Sequence, residues 1–131
     1  MTIVDRQTRC FLAIVAVEDR TQPIAQQMVE QGPAEQYFSD QYYLYDLLTY
    51  RRGPHLSLPD KSETYSVEGA NAELRHYLTR LARRSRCFSR CLTWLNRHLK
   101  AFAHAWNQRQ LHNWERPFDK KPLIDFICLQ N

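Results

Sequence analysis

Eight consecutive apolar residues, Cys10 to Val17 (CFLAIVAV), constrain this chain more than any other segment. A helix needs about 20 apolar residues to span a bilayer, so the run is too short for that. It has no polar face, which predicts a strand buried on both sides. Thr2-Ile3-Val4 precede it across the polar stretch Asp5 to Arg9. Two apolar runs joined by such a stretch predict an antiparallel hairpin.

The rest of the chain alternates helical and strand patterns. Thr21 is placed to cap a helix with Pro23 in its first turn, and Ile24, Met28 and Val29 give its apolar face. Gly32-Pro33 stops it. Residues 36–39 predict a short strand ending at Asp40. Residues 41–51 predict a helix with Tyr43, Leu44, Leu47 and Leu48 inward, and residues 55–58 a last strand. A long helical pattern starts near Ser66. Another covers 92–110, where Leu92, Leu95, Leu99, Phe102 and Trp106 alternate in steps of three and four. The order β-β-α-β-α-β-α-α is a mixed α/β arrangement. At 131 residues the chain suits a single domain, 1–131.

Charge divides the chain in two. Residues 1–67 hold six Lys/Arg and nine Asp/Glu, whereas residues 68–131 hold twelve and five. Eight basic residues and no acidic one lie between Arg75 and Lys100. Such a block favours a polyanionic partner, nucleic acid before a membrane surface, over a merely solvated helix face. The basic residues are mostly Arg, whose planar fork matches two phosphate oxygens at once. No apolar run marks a secretory leader or a membrane span, so the expectation is a cytoplasmic protein with reduced cysteines. Cys10 and Cys128 lie in apolar runs and are expected to be small core residues.

Residues 64–90 read TYSVEGANAELRHYLTRLARRSRCFSR. Glu68 and Asn71 open a helix, Leu74-Arg75 and Arg80-Leu81-Ala82-Arg83 continue it, and Cys87-Phe88-Ser89 closes the block. This pattern resembles the C-terminal signature of bacterial DDE transposases of the insertion-sequence-one type. Residues 37–45 (YFSDQYYLY) resemble the family's strand that ends in Ser/Thr-Asp with aromatics beyond it. Residues 3–20 resemble its second and third strands, so the likeness covers residues 3–110.

The resemblance implies an RNase H-like catalytic core with an additional C-terminal helix, lacking its first central strand. Residues 64–110 form the Glu-bearing, Arg-rich helical part. The implied activity is DNA transposition: cleavage and strand transfer at element ends, with Mg²⁺ or Mn²⁺ held by an Asp-Asp-Glu triad. Asp40 matches the second Asp and Glu68 the Glu, as catalytic residues and metal ligands. The first Asp belongs to a strand that would precede residue 1. Asp5 sits in the turn after the family's second strand and is not counted in the triad. Arg75, Arg80, Arg83, Arg84, Arg86 and Arg90 are the expected DNA-phosphate contacts. The implied partners are element-end and target DNA, with a further copy or full-length transposase, and the implied location is the bacterial nucleoid.

Each site residue also has a plainer role. Asp40 is placed to cap the helix that follows, and Glu68 is a first-turn acid favoured by the helix dipole. The alternative expectation, for a chain without the first Asp, is an inactive DNA-binding or dimerising fragment that inhibits full-length transposase. Cys87, Cys91, His98 and His104 fit a zinc site poorly, because on one helix His104 points about 120° away from the others.

Overall fold

The computed structural model describes residues 1–51, 53–59, 63–78 and 92–127. The predicted hairpin forms. Strand β1 (Thr2–Val4) pairs antiparallel with β2 (Phe11–Ile14), Ile3 opposite Ala13, with a bulge between Ile3 and Val4. Asp5 builds the turn. Its carboxylate accepts hydrogen bonds from the Thr8 backbone N–H at 2.7 Å and the Thr8 hydroxyl at 2.5 Å. Arg9 takes a left-handed φ of 60° to close it.

The expected two-sided burial of residues 10–17 does not hold. Phe11 and Ala13 are buried, but Leu12 between them is 40% exposed. Only one face of β2 is fully covered.

Helix α1 (Gln22–Gln31) follows, with Ala25, Met28 and Val29 buried. Thr21 stands at its N-cap but makes no side-chain cap bond. Gly32 ends the helix against the sheet. A Cβ there would lie 3.3 Å from Leu12 Cβ and 3.4 Å from an Ile3 methyl, so the close approach favours glycine. Strand β3 (Tyr37–Ser39) pairs parallel with β4 (His55–Ser57). Between them α2 spans only Tyr43–Asp46, much shorter than the 41–51 expected. Leu44 and Leu48 are buried, whereas Tyr43 is 66% and Leu47 55% exposed.

The cause lies in α1. Gln26 donates to the Thr49 carbonyl at 2.9 Å and accepts from the Thr49 N–H at 2.8 Å. Gln22 donates to the Leu47 carbonyl at 3.1 Å. These side chains take backbone groups that a longer helix would need for itself.

Helix α3 (Tyr65–Tyr77), helix α4 (Leu92–Glu115) and the short α5 (Ile124–Ile127) follow among the described residues. Two cores result. Phe11, Ala70, Leu74, Leu99, Phe102, Trp106 and Leu123 form one, on the α3 and α4 side of the hairpin. Ala25, Val29, Tyr37, Leu44 and Leu48 form the other, beneath α1 and β3. Leu99, Phe102 and Trp106 are buried as their spacing predicted, and Cys10 is a buried thiol. Among the described residues the architecture is a mixed helix–strand fold with two separate two-stranded sheets. No helix among the described residues is long and apolar enough to cross a membrane.

Candidate active-site groove

The two sheets flank a groove of about 270 Å³. Thr2, Ile3 and Val4 of β1 line it, as do Tyr37, Phe38 and Ser39 of β3. A strand turns successive side chains to opposite faces, so three consecutive lining residues mean that its edge faces the groove. The pairing agrees. Tyr37 N–H and Ser39 C=O bond toward β4, which leaves the peptide groups of Phe38 directed the other way. Met1 and Val15 exchange bonds across the hairpin, so Thr2 turns its groups away from β2. Neither β1 nor β3 has a second strand partner among the described residues.

Asp40 and Glu68 both line this groove. Asp40 follows directly on β3 and is exposed. Its Oδ1 accepts the Tyr42 N–H at 3.2 Å in the turn before α2, but the N-cap position is Tyr42 and carries no side-chain cap bond, so the helix cap expected of Asp40 does not form. The Ser39 and Ser57 hydroxyls donate to its carbonyl oxygen at 2.9 and 3.2 Å, which fixes the strand end. Glu68 lies in the first turn of α3 and is also exposed. Asn71, one turn on, is engaged elsewhere: its Oδ1 accepts the Thr2 hydroxyl at 2.8 Å and ties α3 to β1.

Asp5 and Ser66 also line the groove. Asp5 is committed to its turn. The Ser66 hydroxyl is buried with no partner among the described residues. Arg6 crosses the groove wall, ion-paired with Glu63 and with its guanidinium 5.5 Å from the Phe38 ring centre.

Hard carboxylate oxygens are the right donors for Mg²⁺ or Mn²⁺, but such ions need several converging ligands. Among the described residues no three His, Cys, Asp or Glu side chains group closely enough to hold one ion. Asp40 and Glu68 by themselves therefore do not fit the two-ion site.

Arg75 is exposed in the last turn of α3. Arg80, Arg83, Arg84, Arg86 and Arg90 lie outside the described residues, as do Cys87, Cys91 and Cys128. Protein-family models, curated proteins and solved structures give no match to this chain.

Sequence reasoning missed a polar cluster on the groove's far wall. The Ser39 hydroxyl lies 2.6 Å from His55 Nε2. The imidazole stacks on Tyr50, ring centres 4.4 Å apart at 15°. Its Nδ1 faces Asp46 Oδ1 at 3.8 Å. Burial lowers the His55 pKa below the usual 6.5, against the opposing pull of Asp46. Burial, with Asp46 and two tyrosines nearby, pushes Tyr50 up to about 12. The clue in the sequence was Ser39, Asp46 and His55 around one strand–helix–strand unit, which no spacing rule singles out.

Proposed function

We propose that this chain is a portion of an RNase H-like DDE transposase domain that acts in DNA cleavage and strand transfer. The observation that carries the reading is the groove. A strand end brings Asp40 to it and the first turn of a helix brings Glu68, the placement the resemblance implies. The order of elements and the parallel β3–β4 pair agree with such a core. The open edges of β1 and β3 flank the space where the family's first strand, with its Asp, would stand.

In this reading Asp40 and Glu68 supply two of the three carboxylates. The third comes from a strand lying in the groove. Arg75 and the Arg-rich segment after it bind DNA phosphates, which positions DNA without reading its bases. A second reading is favoured by the incomplete ligand set: a DNA-binding fragment that pairs with full-length transposase and blocks it.

The test is Mg²⁺-dependent strand transfer of labelled element-end DNA by the purified chain, with Glu68→Ala as control. Transfer that is lost in the variant supports the enzymatic reading and means that another carboxylate, such as Asp5, replaces the missing ligand. DNA binding without transfer, together with inhibition of full-length transposase, supports the second. A folded chain with neither binding nor transfer removes both.

A further inference from the structure

We propose that Ser39, His55 and Asp46 form a serine-nucleophile site that hydrolyses small carboxylic esters, independently of any action on DNA. Ser39 is the nucleophile, His55 the general base, Tyr50 the ring that holds its plane and Asp46 a nearby negative charge. A nucleophile within hydrogen-bond reach of a base that a third group holds in place is the geometric requirement for this chemistry.

The contacts define the roles. The Asp46 carboxylate stands beyond direct hydrogen-bond reach and acts through its charge, favouring the proton on Nδ1. Ser39 Oγ lies 2.6 Å from His55 Nε2, and in the reacting state its one proton turns from the Asp40 carbonyl, which it bonds at 2.9 Å, to the Nε2 lone pair. Stacking on Tyr50 fixes the ring plane. Kept neutral by burial, the imidazole is ready to take a proton at pH 7.

The surroundings supply the remaining parts. Ser39 and His55 line the groove beside Tyr45, Leu48 and Tyr50, an apolar and aromatic wall for a short acyl chain. Ser39 ends a strand, and the backbone N–H groups of Asp40 and Gln41 after it have no partner among the described residues. The N–H following a nucleophile on a strand-to-helix turn is a common donor to a developing oxyanion.

The reaction balances without a co-reactant other than water. The Ser39 oxygen bonds to the ester carbonyl carbon as its proton passes to His55 Nε2. The bond to the alcohol oxygen breaks, and the alcohol leaves with that proton. Water then attacks the acyl-serine and gives its proton to His55. The acid leaves, and the proton returns to Ser39.

The experiment treats the full chain with a fluorophosphonate probe in the presence of EDTA, then maps the adduct by peptide mass spectrometry. Hydrolysis of p-nitrophenyl acetate is followed in parallel. The expected result is one adduct, at Ser39, and turnover that Ser39→Ala abolishes. His55→Gln lowers the labelling rate on the order of a hundredfold. Near-UV circular dichroism establishes that the variants stay folded. No adduct on the folded chain, an adduct elsewhere such as Ser57, or equal labelling of folded His55→Gln each overturns the proposal. Because EDTA removes the divalent ions that transposition needs, failure here leaves the transposase reading untouched, and the converse holds.

Discussion

Asn96 and Asn107 of α4 grip the backbone of β2 and the residues after it at two points. Asn107 accepts from Phe11 N–H at 2.7 Å and donates to Phe11 C=O at 2.8 Å. Asn96 does the same to Ala16, at 2.8 and 3.1 Å. A carboxamide carries one acceptor and a donor group, so it can replace a neighbouring strand at one residue. The spacing matches: helix from 96 to 107 rises about 16.5 Å, and extended chain from 11 to 16 covers about the same. Trp106 donates to the Arg9 carbonyl at 3.0 Å, so α4 follows the hairpin into its turn.

Asn107→Ala leaves the Phe11 N–H and C=O without partners in a half-buried place. The expected loss is about 2–3 kcal/mol of unfolding free energy, read from urea melts. Asn107→Asp keeps the acceptor but removes the donor, and is expected to be destabilising too.

Tyr37→Phe tests the joint between α1 and β3. The buried Tyr37 hydroxyl donates to the Gly32 carbonyl and accepts from the Ala34 N–H, both at 2.9 Å. Phenylalanine keeps the ring and loses both bonds, so thermal melts should show a loss of about 1–2 kcal/mol.

Gly53→Ala places a methyl group onto the Glu35 carbonyl, which is backbone and cannot swing aside. The β3–β4 connection must shift, at a cost of about 1–3 kcal/mol by chemical denaturation. A neutral outcome would mean that the two segments separate readily.

His55 sets a pH dependence. Its folded pKa lies below the unfolded value of 6.5 because burial disfavours the charged ring. The unfolded chain therefore binds the proton first. This contribution is fully present above the unfolded value and declines as pH falls from there through the folded pKa. Urea midpoints at about pH 7.5 and pH 5 should differ, and His55→Gln should narrow the difference.

The basic block makes a separate prediction. Reversing charge at Arg83 and Arg84 should weaken DNA binding and flatten its dependence on salt, because each phosphate contact releases counterions. Arg75→Glu should act in the same direction. Unchanged affinity and slope in a salt titration would take this segment out of the account.

Apolar runs marked the hairpin, and apolar spacing marked α1, α3 and the Leu99, Phe102 and Trp106 part of the α4 stripe, while Leu92 at its start is exposed. The apolar pattern overstated α2, because Gln22 and Gln26 hold Leu47 and Thr49 from another element. It overstated the burial of Leu12 because continuous hydrophobicity does not say how many layers cover a strand. The resemblance drew attention to Asp40 and Glu68, which both line the groove, whereas the Ser39–His55 contact was not legible. That contact depends on the parallel register of two three-residue strands, and no sequence period encodes it. The Asn grips escaped notice because an amide on a helix looks like ordinary surface.

A sheet enlarges by adding strands to an edge with free peptide groups. In the hairpin, α4 occupies the outer side of β2, so a second copy sliding alongside would meet a helix instead of a template. Among the described residues the hairpin therefore presents one edge, β1, with neither a second strand nor α4 along it.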